Sequence, residues 1–263
     1  MNRTATSLRF AYSTINWGVT PDFVATFADI REAGWRAVEL FWHDLNWMGP
    51  AARMRETLGN LQVATLFGAV RVPTDEAQLV RLRHEVAYAA ELGADHYGLT
   101  GGDRLRWRPP SPEEERNLAR LCETLAVFGA EMGVAVAYHP HAGFTVETED
   151  EVARLLDATQ TLRLCLDVSH VALVGEDPLD QIRRYQERLG YIHLKDWTRG
   201  KFVEMGEGSL GIDFAAVLRE LEAMRFPGWV VVEQSRSDIS PLSSATKNAS
   251  YLRGIGYDPG SIG

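Results

Sequence analysis

The feature of this sequence that most restricts its fold is an alternation of eight short apolar runs with longer amphipathic segments. The runs occupy residues 9–17, 37–42, 62–67, 96–100, 134–139, 162–167, 191–195 and 229–234. Helical periodicity marks four of the intervening segments, residues 21–34, 75–93, 111–133 and 212–226. Alternating strands and helices are typical of a parallel sheet covered by helices. Eight such units in 263 residues predict one (β/α)8 TIM barrel domain spanning residues 1–263.

Helix-boundary residues agree with this division. Ser111 followed by Pro112 is typical of a helix start, and Asp213 precedes an apolar periodic segment as an N-cap would. Gly93 and Gly133 stand where helices are expected to end. A doubly wound open sheet is the alternative, but the stretch "INWGVTPD" after the first run lacks the glycine-rich turn of that fold. Residues 198–211 are glycine-rich, and we expect a loop over the barrel mouth.

Charge, cysteine content and hydrophobicity argue against a nucleic-acid partner, a disulfide framework and a membrane span. The net charge is −9 and no cluster of Lys and Arg stands out, which disfavours a nucleic-acid partner. Cys122 and Cys165 are far apart and form no disulfide framework, so a cytoplasmic location is expected. The first 17 residues lack the apolar core of a signal peptide, and no run of 18 apolar residues predicts a membrane span.

Ionisable side chains collect where the predicted strands end. In a (β/α)8 barrel the active site lies at the carboxyl ends of the strands, and the site is expected there. The residues concerned lie at the end of the second, fifth, sixth, seventh and eighth predicted strands or just after it: Glu39, His43, His139, His141, Asp167, His170, His193, Lys195, Glu233 and Arg236.

The two-residue period of a strand decides which of these side chains point inward. His139, Asp167, His193 and Glu233 are all in phase on four adjacent strands. Two imidazoles and two carboxylates are ligands that suit one divalent ion such as Mn²⁺, Co²⁺, Zn²⁺ or Mg²⁺. The set contains no thiolate, which disfavours a structural zinc site. Cys165 is in phase with Asp167 but one step deeper, where core packing is expected.

Three motifs in the second half of the chain carry a family resemblance. They are "CLDVSH" (165–170), "EDPLDQIRRYQERLGYIHLKD" (176–196) and "GEGSLGIDFAAVLRELEAMRFPGWVVVEQSRSD" (206–238). Here the chain resembles the xylose-isomerase-like barrel superfamily, which includes sugar isomerases and epimerases, myo-inosose dehydratases and endonuclease IV. The segments "STINWG" (13–18) and "YHPHAGFTVET" (138–148) look most like the inosose dehydratase branch. The resemblance implies a cytoplasmic enzyme of carbohydrate metabolism, such as inositol catabolism, that assembles as a dimer or tetramer.

The same resemblance implies roles for individual residues. The metal ligands of the family fall on Asp167, His193 and Glu233, and its substrate-contacting histidine falls on His170. The fifth-strand glutamate of the family, a ligand and often a base, is replaced by His139. This departure disfavours an epimerase that uses two opposed glutamates. His139 is therefore either a fourth ligand or a general acid.

These residues predict a metal-dependent carbon–oxygen lyase. It would act on a keto-sugar or keto-inositol, as an inosose dehydratase or a 3-keto-glycoside eliminase does, by removing the proton beside a metal-polarised carbonyl. An isomerase or epimerase acting through an enediolate is the alternative. A DNA-repair endonuclease is disfavoured by the acidic charge, and a non-catalytic sugar-binding barrel by the ligand set. The candidate catalytic residues are Glu233, His139, His170, His141 and Lys195.

Further residues at the strand ends are candidates for substrate contact. The set comprises Asn16, Trp17, Glu39, His170, Lys195 and Arg236. Core packing is the alternative role for Trp17. An ion pair is the alternative role for Lys195, Glu39 and Arg236. Four other tryptophans lie near predicted mouth loops, at positions 42, 47, 107 and 197. Glu204 and Glu207 are expected to be solvated loop residues.

Overall fold

The computed structural model describes residues 8–41, 43–102, 104 and 108–260; Trp42 and Trp107 lie outside this part of the chain. The barrel strands are β1 (Arg9–Ser13), β2 (Ala37–Phe41), β3 (Gln62–Val70), β4 (His96–Gly101), β5 (Ala135–Tyr138), β6 (Arg163–Asp167), β7 (Leu189–Leu194) and β10 (Trp229–Val232). These eight parallel strands close into a barrel in the order β1-β10-β7-β6-β5-β4-β3-β2, which confirms the predicted TIM barrel.

Helices surround the barrel on its outer side. They are α1 (Phe23–Glu32), α2 (Leu45–Met48), α3 (Ala51–Leu58), α4 (Glu76–Leu92), α5 (Pro112–Glu131), α6 (Glu149–Asp157), α7 (Val168–Leu173), α8 (Pro178–Arg184), α9 (Phe214–Ala223) and α10 (Pro241–Gly254). Ser111 and Glu114 form a capping box at the start of α5, and the side chain of Asp213 accepts from the backbone N–H of Ala216 to cap α9. No helix in these described ranges is both long enough and apolar enough to cross a membrane.

The first strand is shorter than the sequence predicts. It ends at Ser13, and Thr14–Trp17 form a turn of 3-10 helix. The physical reason is a side-chain bond that competes with the ladder. The hydroxyl of Thr14 donates to the carbonyl of Glu39 and accepts from the N–H of Phe41, so that Thr14 binds the end of β2 through its side chain.

The stretch 198–211, expected to be a loop, belongs in part to an antiparallel hairpin formed by β8 (Asp196–Thr198) and β9 (Lys201–Val203). Asp196 fixes its base, because its carboxylate accepts from the backbone N–H groups of Trp197, Gly206 and Gly208. Glu204 is buried at 7 % exposure and accepts from Ser237, so the expectation that Glu204 is solvated was wrong. Glu207 pairs with Lys247 at the surface.

The interior of the barrel below the mouth is a packed core. Phe67, Ala137, Tyr191 and Val231 are among the buried side chains that fill it. A layer of polar groups closes the opposite end, where Asp95 pairs with Arg9 and accepts from the indole of Trp229. Because one end is closed in this way, the polar side chains at the carboxyl ends of the strands are the ones that can meet a ligand.

Candidate active site

Four side chains on neighbouring strands meet at the barrel mouth. His139 follows β5, Asp167 ends β6, His193 lies in β7 and Glu233 follows β10. Each offers one ligand atom within 4.8 Å of the others, and none is more than 2 % exposed. The structure thus brings together the four residues that the strand phase predicts as metal ligands.

The atoms that face one another in this cluster are not satisfied by the protein. His193 Nδ1 lies 2.9 Å from Glu233 Oε2 and 3.9 Å from Asp167 Oδ2, and His139 Nε2 lies 3.4 Å from Asp167 Oδ2. All four atoms are buried, and none makes a hydrogen bond of good geometry within the described residues, although His193 Nδ1 and Glu233 Oε2 lie at ion-pair distance. Leaving such groups unpaired is costly, and four that converge fit a shared cation. Two imidazole nitrogens and two carboxylate oxygens suit a borderline or hard divalent ion.

Supporting groups fix the orientation of these ligands. Oδ1 of Asp167 accepts from the N–H groups of Ser169 and His170 and caps α7, which leaves Oδ2 for the centre of the cluster. Glu39, fully buried on β2, lies 2.9 Å from His193 Nε2. This contact engages Nε2 of His193 with Glu39, so that Nδ1 is the nitrogen that faces the other ligands. The sequence predicts a contact of Glu39 with substrate, but the structure instead puts this side chain against His193.

Lys195 is the cation in direct contact with the ligand carboxylates. Its Nζ lies 2.5 Å from Glu233 Oε1 and 3.8 Å from Asp167 Oδ2. Burial by itself raises the pKa of Asp167, but the neighbouring His170 and Lys195 outweigh it and hold that pKa well below its usual range. Burial also raises the pKa of Glu233, and Lys195 and His193 again reverse the effect. Both carboxylates are therefore ionised at neutral pH, the form that binds a cation.

Two further histidines line the wall beside the ligands. The rings of His141 and His170 have centroids 3.6 Å apart, and His170 Nε2 lies 3.7 Å from Asp167 Oδ2. Burial, reinforced by His139 and Lys195, lowers the pKa of His141 to about 4. Burial also lowers the pKa of His170 well below its usual value. Both rings are neutral at pH 7 and can accept a proton, and both nitrogens of His170 lack a partner.

Two phenylalanines that the strand pattern did not predict complete this wall. Phe144 stacks on His141 with ring centroids 4.2 Å apart. Phe202, on β9, lies 5.6 Å from the ring of His170 and 4.1 Å from Lys195 Nζ. Phe144 lies in the segment "YHPHAGFTVET", but the position of Phe202 depends on the hairpin, which the glycine-rich sequence did not predict.

The other candidate substrate contacts are less closely tied to the cluster. Asn16 has a buried amide nitrogen without a hydrogen-bond partner. The indole of Trp17 donates to Asp29 and its ring meets Tyr12 edge-on, which is a packing role. Arg236 is exposed, and its backbone carbonyl accepts from Gln234. His43 lies 2.6 Å from the hydroxyl of Thr14 and is held within the loop after β2.

Comparison with known proteins identifies the family. The xylose isomerase-like TIM barrel model matches residues 27–255, and the chain belongs to this family. An inosose dehydratase from Geobacillus kaustophilus is 26 % identical, over 96 % of this chain and 96 % of that protein. An inosose dehydratase from Lacticaseibacillus casei is 29 % identical, over 68 % of this chain and 71 % of its own length.

Solved structures share the fold at lower sequence identity. An L-ribulose 3-epimerase has a TM-score of 0.79 at 17 % identity, with 94 % of each chain covered. A probable 3-DHS dehydratase from Bacillus anthracis has a TM-score of 0.76 at 14 % identity, covering 94 % of this chain and 99 % of its own. The IOLI protein, solved with a zinc atom, has a TM-score of 0.77 at 15 % identity, covering 94 % and 98 %. These likenesses show that the chain shares the TIM-barrel fold of these proteins.

Proposed function

We propose that this protein is a divalent-metal-dependent dehydratase, a carbon–oxygen lyase that acts on a keto-inositol or a related keto-sugar. The observation that carries the proposal is the convergence of four buried, unpartnered ligand atoms from His139, Asp167, His193 and Glu233. The inosose dehydratases among the relatives support the reaction class, and the zinc of the IOLI protein supports a divalent ion on this fold. The donor set suits Mn²⁺, Co²⁺, Zn²⁺ or Mg²⁺.

The charges of the site support an uncharged substrate. Glu39, Asp167 and Glu233 are three buried carboxylates, and Lys195 supplies one positive charge among them. Burial by itself lowers the pKa of His193, but neighbours that include Cys165 and Glu39 raise that pKa well above its usual value, and His193 gives up its Nδ1 proton when it binds the ion. A divalent cation balances the other two negative charges. A site that is neutral when loaded has no surplus charge with which to bind a phosphate or carboxylate. A neutral polyol ketone therefore fits it better than a sugar phosphate.

A bound divalent ion would polarise the substrate carbonyl and make the proton on the adjacent carbon more acidic. We assign the base to His170, because both of its ring nitrogens are free of hydrogen-bond partners and its Nε2 lies 3.7 Å from the ligand Asp167. Glu233 is less suited, since Lys195 and Ser235 already contact its Oε1 and its Oε2 faces the ligand cluster. In this assignment His139 serves as the fourth ligand.

The elimination then needs an acid for the leaving hydroxyl, and we assign this role to Lys195, whose Nζ lies beside the ligand Glu233. His170 takes the proton from carbon, the electron pair of that C–H bond forms the carbon–carbon double bond, and the C–O bond of the β-hydroxyl breaks. Lys195 donates a proton to the departing oxygen, which leaves as water. Phe144 and Phe202 cover this wall with apolar surface, which limits the access of solvent.

An NMR assay in D₂O tests the proposal. The panel contains inososes, ketohexoses and 3-keto-glycosides, each with Mn²⁺ or Co²⁺ and each repeated with EDTA. We expect loss of water from an inosose and no reaction after chelation. Glu233→Ala should abolish this turnover without changing the far-ultraviolet circular dichroism. Deuterium incorporation into a new stereoisomer without loss of water would instead indicate an epimerase.

A further inference from the structure

A thiol lies directly beneath the four-ligand cluster. Cys165 is on β6, two residues before Asp167 on the same face, and its side chain is fully buried. His139, Cys165 and His193 each offer a ligand atom within 4.8 Å of the other two. Both imidazoles therefore belong to two overlapping sets. We name His139, Asp167, His193 and Glu233 the upper set, and His139, Cys165 and His193 the lower set.

The two imidazoles are shared between the two sets. Both ring nitrogens of His139 are buried without a hydrogen-bond partner, and so is Nδ1 of His193. Cys165 forms no disulfide. Cys122, the other cysteine, is also free and buried, but it lies on α5 and joins no such group within the described residues. The strand phase predicts core packing for Cys165, because it places this residue one layer below Asp167. In the structure this layer also lies next to the ligands His139 and His193.

We propose that the lower set is a thiolate site for a soft divalent cation, Cd²⁺ or Zn²⁺. Thiolate ligands select such ions, whereas the carboxylates of the upper set suit Mn²⁺ or Mg²⁺. On binding, the S–H bond of Cys165 breaks, its proton leaves to solvent and a sulfur–metal bond forms without any redox change. The soft ion uses the same Nδ1 of His193 as the upper set, because Nε2 of that ring faces Glu39. Cd²⁺ then competes with Mn²⁺ for the two imidazoles and inhibits.

This inference rests on the metal centre of the proposed function but not on its substrate, and absorption spectroscopy tests it without any turnover. Cd²⁺ or Co²⁺ is added to chelator-treated protein, and the thiolate-to-metal charge-transfer band is recorded in the ultraviolet. We expect the band in the wild type and in Cys122→Ser, which serves as the matched control. Cys165→Ser and Cys165→Ala should lose it. Asp167→Asn should keep it, because Asp167 belongs only to the upper set.

Competition against Mn²⁺ gives a second measurement. Bound Mn²⁺ is followed by its electron paramagnetic resonance signal while Cd²⁺ is titrated in. We expect Cys165→Ala to raise the Cd²⁺ concentration needed for displacement by about tenfold or more, which is the scale on which metal sites respond to one altered group. Thermal unfolding of each variant verifies that it is folded.

The outcomes separate the two proposals. A wild-type protein that binds Mn²⁺ but shows no thiolate band with Cd²⁺ or Co²⁺ overturns the lower set and leaves the dehydratase proposal standing. A band that survives in Cys165→Ala, or that disappears in Cys122→Ser, also overturns it. If neither Mn²⁺ nor Cd²⁺ binds, the metal centre itself is wrong and both proposals fail.

Discussion

Glu39 and His193 are held 2.9 Å apart in the interior of the barrel, with neither side chain exposed to solvent. The contact is made by Nε2 of the imidazole, so that Nδ1 is the nitrogen facing Asp167 and Glu233. A carboxylate that accepts from the second nitrogen of a metal-binding histidine fixes the tautomer and increases the basicity of the ligand nitrogen. Glu39 is thereby a positioning residue for the proposed metal centre.

Replacing Glu39 should weaken metal binding without unfolding the protein. Glu39→Gln keeps the shape of the side chain but removes the charge that faces Nε2. We expect the Mn²⁺ affinity to fall by about tenfold to a hundredfold, the usual cost of losing such a partner. Isothermal titration calorimetry measures the change. Glu207→Gln, at a surface pair with Lys247, is the matched control, and equal affinities for both variants would contradict the assigned role.

Asp167 has two roles that substitution can separate. Oδ1 caps α7 through the N–H groups of Ser169 and His170, while Oδ2 faces the other ligands. Asn retains the capping oxygen and loses the charge, so Asp167→Asn should lose Mn²⁺ binding and keep the cap. Asp167→Ala loses both, and we expect its free energy of unfolding to be about 1 kcal/mol lower than that of Asp167→Asn. Urea unfolding in EDTA compares them; a less stable Asn variant would argue against the cap.

The residues at the strand ends show which part of the site can be predicted from the sequence. Period-two phase predicts His139, Asp167, His193 and Glu233 correctly as one group, because closing a parallel barrel brings the carboxyl ends of all strands to one mouth. Phase does not reveal that Glu39 crosses the barrel to His193. That contact depends on side chains whose strands are distant in sequence, and a strand pattern carries no information on which inward groups meet.

The hairpin of β8 and β9 at the barrel mouth is an element that the sequence does not predict. Its residues, including Phe202, lie in a glycine-rich stretch that local propensity assigns to a loop. The hairpin exists because Asp196 binds the N–H groups of Gly206 and Gly208, and because Asn248 of α10 accepts from the N–H of Met205. These are tertiary bonds between separate segments. They override the local preference and so are not visible in the sequence.

Lys195 should be needed for turnover, although it is not itself one of the four proposed metal ligands. Lys195→Met keeps the apolar stem beside Phe202 but removes the proposed proton donor, so kcat on the substrate found by NMR should fall about 10²- to 10⁴-fold. Lys201→Met is the matched control, since Lys201 lies on the same hairpin as Phe202 and pairs with exposed Asp238. Retained kcat in Lys195→Met would rule out the assignment, and titration with Mn²⁺ shows whether the ligands are intact.

His96 should make the stability of the barrel depend on pH at the end opposite the active site. It begins β4 beside Asp95, Arg9 and the ring of Tyr191, and burial lowers its pKa from 6.5 to about 4. The unfolded chain therefore binds this proton at a higher pH than the folded protein does. The contribution of His96 is fully present above pH 6.5 and is lost as the pH falls from there towards 4.

Urea unfolding in EDTA at pH 7 and pH 5 measures this contribution. Other buried histidines also contribute to the pH dependence of the free energy of unfolding. The informative quantity is therefore the difference between the wild type and His96→Gln. Between these two pH values the wild type should lose about 2 kcal/mol more free energy of unfolding than the variant. His84→Gln, on the exposed face of α4, should behave as the wild type. If His96→Gln loses as much stability as the wild type, the proton is taken up elsewhere and the base of the barrel is not the pH-sensitive element.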